Sequence, residues 1–423
     1  MVIATFLFLP LTAGLADANN GDVSDSGVIP NEGTLVPAPP VSEQHATLPV
    51  EQQNGGCSET NTGGQICIST SQGGESSQPS RAAAAAATDV PCDAEKVKWI
   101  YSRSKSCGIF KMTMTERDTK GEPLGTAELE AKAEMSLSAS RLQWNSHLTV
   151  SYVKTTGKLT TPTVNVKLTA GCTKSCTAIS PSPWFGSQSI LPGGTLQGDV
   201  TYQVASPNKN DNIRANYEAY ITQPGTLPTD PNASWGDPGN IRCDNEVSAN
   251  PGCVYTVVKP LVVLPISQYH DAALTYLFQQ KTQVEKWGEP GWEMHREADE
   301  RIAESHRTYT CRTAAEGAVS TPELFVYMSS TIPDDSCDEY PFAATKEGGS
   351  APGQCNDVYF TTDSNGGFHF HQANPTKPLS ADAPCTRGHV KSSDNTNAGL
   401  DLGRQVQSLR ILPGESYQLY IEQ

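Results

Sequence analysis

The 423-residue chain is short of positive charge: 30 Lys and Arg stand against 46 Asp and Glu, a formal net charge of −16. That excludes binding to nucleic acid by bulk electrostatics alone, which needs a basic surface. Any contact with phosphate would have to be local and assisted by a cation. Charge of either sign is sparse, at 18%, against 37% hydrophobic residues, so the chain has the material for a core. Beyond the first eighteen residues no stretch is long and apolar enough to cross a membrane. The C-x-x-C ladders of a zinc ribbon are also missing. The twelve cysteines therefore read as disulfides made in an oxidising compartment. Cys57/Cys67, Cys92/Cys107, Cys172/Cys176 and Cys243/Cys253 lie close in sequence, although spacing leaves the connectivity open.

What is present begins with an apolar run, VIATFLFLPLTAGLADA, that ends at Ala16-Asp17-Ala18. Residues 1–18 are expected to be a signal-peptide core with its cleavage site, the alternative being a buried N-terminal strand. The basic residues that usually precede such a core are absent. A secreted, extracellular protein with no membrane span in its mature form is the expectation. Gly (35) and Pro (30) are frequent enough to favour turns over long helices.

The length allows two or three domains. Residues 19–90 are rich in Asn, Gly, Ser, Gln, Pro and Glu. They are expected to be a disordered linker, because they hold too little apolar surface to offset the entropy of ordering. From 91 to 262, segments such as HLTVSYVKTT, PTVNVKLTAG and GDVTYQVAS alternate apolar and polar residues between turn signals. That predicts an antiparallel, sandwich-like β-rich domain. GTAELEAKAEMSLSAS has helical composition but strand alternation, and strand is favoured. Residues 263–310 read as a helical connector, with SQYHDAALTYLFQQ capped by Ser267 and EMHREADERIAESHR behind it. The last 113 residues, 311–423, read as a small α+β domain. It has a helix over NTNAGLDLGRQVQSL and a strand–turn–strand over SLRILPGESYQLYI.

Three constellations could carry chemistry. SCDEYPFAATKEGG crowds Asp338, Glu339 and Glu347 together. Such carboxylates repel unless a proton or a hard cation separates them, or unless they are simply solvated at a turn. CTRGHVKSSDNTNAG sets Arg387, His389, Asp394, Asn395 and Asn397 within eleven residues. An imidazole there could take a proton from water, and an Asn at a helix start could hold a metal; a structural His and a helix cap fit the same letters. GGFHFHQ puts His369 and His371 on one side of a strand. This is either a transition-metal pair lacking an obvious third ligand or plain alternation.

Two of these motifs, CDEYPFAATKEGG and RGHVKSSDNTNAGLDLGRQVQSLRILPGESYQLYI, resemble in order and in sequence the deoxyribonuclease NucA/NucB family of secreted bacterial nucleases. The matching elements are Cys337 to Pro341, Glu347-Gly348-Gly349, Asn395 to Gly399 and Arg410 to Gly414, within roughly residues 311–423. The resemblance implies a ββα-metal-type fold and endonucleolytic hydrolysis of DNA with Mg²⁺ or Mn²⁺. Asp338 and Glu339 match the family's acidic pair, Glu347 the acid before the double glycine, and Asn395 the helix-start Asn. Compact members lack a histidine at the place of His389, and there the motif Asp serves instead. Here RGHV is similar to the R-G-H element of non-specific ββα-metal nucleases. The expected catalytic set is His389 as general base with the acidic pair Asp338 and Glu339, Asp338 orienting the base or assisting at the metal; Asn395, Glu347 and Asp338 are the expected metal ligands. Arg387 or Lys391 would hold a flanking phosphate. The chain departs from the pattern in an insert of about forty residues, Ser350 to Gly388, which a Cys355–Cys385 disulfide would close.

From Asp334 to Gln423 there are 12 acids and 6 bases, so binding to DNA should be weak and dependent on divalent ions. The competing reading is a secreted cell-surface binding or structural protein with an inactive nuclease-like domain. A glycosidase-like acid pair fits poorly, because adjacent residues on a strand point apart. Neither the ligand of the β-rich domain nor an inhibitor partner is legible.

Overall fold

In a computed structural model, the structure describes residues 27–37, 39, 45–49, 51–53, 56–70, 92, 98–224, 231–313 and 324–423. The expected signal peptide lies outside these residues. Alternation governs the first half. The stretch that could be helix or strand is the strand Pro123–Ser136, with Ala127, Leu129, Ala131, Ala133 and Met135 buried and charged residues between them. A period of two puts every apolar side chain on one face, which a helix of the same letters would scatter.

It pairs with Lys105–Arg117 and Gln143–Gly157 at the centre of a nine-stranded, antiparallel sheet. A second sheet runs Gln188–Ile190, Val164–Cys172, Ala215–Thr222, Ala233–Gly236 and Glu51–Gln53. Aromatic side chains join the two layers. Phe110 of the first stacks on Trp235 of the second with 4.6 Å between ring centroids, and Tyr217 packs on both Trp235 and Trp99. The N-terminal half is thus β-rich and sandwich-like, followed by a smaller unit that mixes helix and strand.

The expected disordered linker at 19–90 requires correction where it is described. Gln65–Thr70 pairs with Lys105–Arg117 and forms a hairpin with Cys57–Glu59, closed by Cys57–Cys67. Ala46–Pro49 pairs with Lys98–Tyr101. Glu32–Leu35 crosses to the far end of the chain and pairs with Phe368–Gln372. Ile29, Leu35, Ile66 and Ile68 are all buried. Each strand is short and low in apolar residues, so its ordering is stabilised by partners that are already folded rather than by its own composition.

The expected connector at 263–310 is also corrected. Helix α1 (Ile266–Thr282) buries Ala272, Ala273, Leu274, Tyr276, Leu277 and Phe278 in the second hydrophobic core. It starts one residue ahead of Ser267, with Pro265 at its cap, and is the central helix of the C-terminal unit. Leu261–Pro265 belongs to that unit too, in parallel with the terminal strand Ser416–Glu422. Helix α2 (Glu300–Thr310) is shorter than expected because Met294–His295 pairs into the same small sheet. Helix α3 covers Ser392–Ser408, and the residues read as a strand after it form a turn instead.

Around α1 lies a five-stranded sheet in the order Glu32–Leu35, Phe368–Gln372, Asn356–Thr362, Thr386–Lys391, Asp335–Tyr340. The last two are called below the histidine strand and the acidic strand. All six disulfides are formed: the four close pairs, Cys311–Cys337, and Cys355–Cys385. They fit an oxidising compartment. Among the described residues no helix is long and apolar enough to cross a membrane.

Arginines weld the two units together. Arg410, fully buried, donates to the Asp244 carboxylate at 2.5 Å and to the carbonyls of Asp244, Ala139 and Asn250. Arg103 and Arg242 reach back from the β-rich half to the two carboxylate oxygens of Glu415 at 2.6 and 2.9 Å.

Candidate active site

The acidic and histidine strands pair antiparallel, and the histidine strand runs directly into α3. Their register sets which side chains can meet. Cys337 lies opposite His389, Asp338 opposite Gly388, and Glu339 opposite Arg387. Paired residues share a face and successive residues alternate. Asp338 therefore lies on one face of the ribbon, with Ser336, while His389, Glu339 and Arg387 lie on the other.

The helices cover the Asp338 face. A Cβ on Gly388 would overlap Thr275 Oγ1 of α1, so the close approach of helix to strand requires glycine here. Asn395, in the first turn of α3, donates its amide to Ser336 Oγ at 3.0 Å and to the Cys337 carbonyl at 2.9 Å. Its amide oxygen remains as an acceptor. The Tyr276 hydroxyl of α1 donates to Asp338, whereas Asp338 Oδ2 is buried with no hydrogen-bond partner among the described residues. Burial first, and then the neighbouring Glu339 charge, push the Asp338 carboxyl well above the usual range; Tyr276 opposes this. Burial favours the protonated acid, so Asp338 binds a proton more tightly than a solvated carboxylate does, and once ionised it is the stronger base.

At one edge of this face the first turns of α1 and α3 meet. His270 Nδ1 lies 3.4 Å from Asp394 Oδ2. Beside them, burial and then the charge of Asp394 raise Asp271 to about 6, while His270 and Lys391 pull the other way. His270 has φ 42° and ψ −118°, which interrupts α1. A non-glycine residue held there is strained, and such strain gathers at functional positions. Asp271 and His270 were not among the expected site residues, and Asp394 stood in the CTRGHVKSSDNTNAG constellation without an assigned role. The signal available for them was a His-Asp pair in the first turn of an expected helix, and a second acid at the start of α3.

The opposite face differs from expectation. His389 is 4% exposed, its Nδ1 2.8 Å from Asp335 Oδ2 and its ring stacked on Phe325 at 4.2 Å. A cleft of about 690 Å³ adjoins it, lined by Pro333, Asp334, Asp335, Lys391, Ser392 and Ser393. His389 thus does not share a face with Asp338 or Asn395, and its expected role as base beside them is corrected. Arg387 is corrected as well. It is fully buried, forked onto Asp357 at 2.6 and 2.7 Å, with a third bond to the Thr310 carbonyl, so it cannot reach a substrate phosphate.

Glu339, on the His389 face, is raised to about 7 by burial, against the pull of Arg307, whose Nε lies 3.8 Å away. Glu347 is occupied elsewhere. One of its oxygens accepts from the His295 backbone N–H at 2.9 Å, and the other lies 2.7 Å from the His295 ring. The structure brings together Asp338 and Asn395; Lys391 pairs with Asp335 and lines the cleft on the His389 face, although its charge also acts on Asp271. It does not bring Glu339, Glu347, Arg387 or His389 to them.

The donors on the Asp338 face are carboxylate and amide oxygens, which suit a hard divalent ion rather than a soft one. No three of its Asp or His ligand atoms lie within 4.8 Å of one another. Among the described residues that spacing is met only by Cys92, Cys107 and Glu134, and those two cysteines are joined to each other. Mg²⁺ commonly takes only one or two protein carboxylates and keeps several waters, so a sparse oxygen set with an unpartnered buried carboxylate fits it.

No protein-family model matches the chain, and no curated protein matches it. Among solved structures, the native conformation of E. coli alpha-2-macroglobulin is similar over 52% of this chain and 14% of its own. The identity is 10% and the TM-score 0.19, too slight a likeness to carry any argument.

Proposed function

We propose that the chain is a secreted deoxyribonuclease that hydrolyses phosphodiester bonds within DNA and depends on Mg²⁺ or Mn²⁺. The observation that supports this best is Asp338. It is a buried carboxylate with one oxygen held by Tyr276 and the other unpartnered, on the face that also carries Asn395. Its roles follow from that placement. Asp338 takes a proton from the attacking water, and Tyr276 fixes the orientation of the carboxylate. Asn395 and Asp394 would hold the divalent ion at the start of α3. When bound, the ion offsets negative charge on the phosphoryl oxygens and on the departing oxygen. Lys391, exposed at the end of the histidine strand, binds a flanking phosphate. The acidic strand, the histidine strand and α3 that follows it support a ββα-metal-type reading, with Asp338 rather than His389 as base. His389 braces Asp335 and Phe325 behind the site.

One observation favours the competing reading of a binding protein with an inactive C-terminal unit: the acids at the edge of the Asp338 face do not converge on a common point. A plasmid-nicking assay separates the two. The nuclease reading expects nicking with Mg²⁺ or Mn²⁺, none in EDTA, and a loss of about 10²-fold or more in Asn395→Ala and Asp394→Asn. No nicking with either ion refutes it in favour of the binding protein.

A further inference from the structure

The histidine pair of the sequence GGFHFHQ is not used by the proposed active site, and the structure supplies what it lacked. Strand Phe368–Gln372 pairs on one side with Asn356–Thr362 and on the other with Glu32–Leu35, from the opposite end of the chain. The register sets Glu32 directly opposite His371, and Thr34 opposite His369. All four side chains therefore lie on one face of the sheet.

The two rings are held alike. His369 Nε2 lies 3.0 Å from Asp363 Oδ2, and His371 Nε2 lies 2.8 Å from Thr361 Oγ1. Both partners come from the Asn356–Thr362 strand and the turn after it. The Nδ1 atoms turn the other way, toward the N-terminal strand: that of His369 is 3.4 Å from Thr34 Oγ1, and that of His371 is 3.7 Å from Glu32 Oε2. A partner on one ring nitrogen orients the imidazole so that the other, here held only by a long contact to Thr34 or Glu32, can ligate a metal. The carboxylate on His369 is the stronger such partner. Both rings are partly open to solvent, with side chains 33% and 23% exposed, and Glu32 is 79% exposed, so an ion has access.

We propose that His369, His371 and Glu32 form a surface site for a borderline transition-metal ion such as Zn²⁺, Ni²⁺ or Cu²⁺. Two imidazole nitrogens and one carboxylate oxygen make a three-ligand set that leaves a fourth position to water. The donors do not yet lie within 4.8 Å of one another. His369 must swing from Thr34 toward His371, giving up a long hydrogen bond to an exposed threonine. The cost is small, but it makes the site one of modest affinity. Because Glu32 comes from the N-terminal segment and the histidines from the C-terminal unit, the ion staples that segment to the edge of the sheet. Mg²⁺ is discriminated against, since it prefers oxygen donors. The proposal does not depend on the nuclease reading.

The test uses the full chain, stripped with EDTA and titrated calorimetrically with ZnCl₂ and, separately, MgCl₂. One Zn²⁺ per chain and no Mg²⁺ response at this site are expected. A rise in Tm with added Zn²⁺ accompanies binding, because only the folded chain presents the three donors. His369→Ala and His371→Ala each weaken Zn²⁺ binding at least tenfold, and Glu32→Gln several-fold. Asp363→Asn weakens it about 10-fold through the His369 ring. All four positions are at the surface, so the EDTA-treated variants keep the wild-type Tm, which guards against misfolding. Zn²⁺ binding that is absent in the wild type, or unchanged in either histidine variant or in Glu32→Gln, overturns the proposal.

Discussion

Arg410→Met should damage the molecule more than any change on the exposed face of α3. Arg410 is 0% exposed and makes one bond to the Asp244 carboxylate and three to carbonyls of Asp244, Ala139 and Asn250. Methionine keeps much of the volume and removes every donor. Breaking one member of a buried ion pair costs about 3–5 kcal/mol. The buried Asp244 carbonyl also loses a partner, worth about 1 kcal/mol, while the part-buried carbonyls of Ala139 and Asn250 lose less. Against this, Arg242 still reaches the second Asp244 oxygen at 3.2 Å, so the carboxylate is not left alone. The balance is about 4 kcal/mol. At roughly 2 °C per kcal/mol for a large chain, that lowers Tm by roughly 8 °C. Arg410→Lys should not rescue it, because a single ammonium cannot reproduce the planar fork. Scanning calorimetry of the wild type, Arg410→Met and Arg404→Ala measures the effect. Arg404 is 69% exposed and, among the described residues, ion-paired with Asp401 alone, so its change should be near zero. The variant should also separate the melting of the two halves. A loss below about 1 kcal/mol in Arg410→Met would refute the claim that this arginine welds them.

Two further outcomes follow from buried groups. Asp237 and Glu339 are raised to about 7 and Asp271 to about 6, each mainly by burial. An acid whose folded pKa lies above its unfolded value binds more protons when folded. Its contribution to stability is therefore present near pH 4 and lost as pH rises toward 7. Tm should fall between pH 5 and pH 8, and Glu339→Gln should flatten that slope; a Tm that rises over the same range contradicts the assignment. Gly388→Ala places a methyl group on Thr275 and should cost at least about 2 kcal/mol by forcing α1 off the strand. Denaturant unfolding that shows no change would mean the helix has room to move.

Much of the architecture was legible from local pattern. Period-two burial in Pro123–Ser136 and the spacing of Leu402, Val406 and Leu409 along and just after α3 are properties of the segments themselves. The four close cysteine pairs lie near in sequence and are bonded as such. What was not legible depends on distant partners. Glu32–Leu35 is ordered by a strand more than three hundred residues away, and no window of sequence contains both. The site shows the same limit at finer scale. His389 and Asp338 lie on adjacent strands, and whether they face each other is a matter of register. A slip of one residue would exchange the faces. The observed pairing of Cys337 with His389 sends the imidazole toward Asp335 and Phe325, and the neighbouring carboxyl toward Tyr276. Asp271 became a candidate, and Asp394 gained a partner, only when α1 proved to be a core helix rather than a connector. Its first turn then stands beside that of α3.

The central claim, that chemistry belongs to the helix-covered face of the acidic strand, is tested most directly by comparing Asp338→Asn with His389→Ala. The measurement is the initial rate of plasmid nicking in Mg²⁺, on variants shown by circular dichroism to be folded. Asp338→Asn should fall by about 10²–10⁴-fold, and His389→Ala should stay within about threefold of wild type. The reverse ranking, with His389→Ala inactive and Asp338→Asn active, would place the reaction on the opposite face and contradict the account.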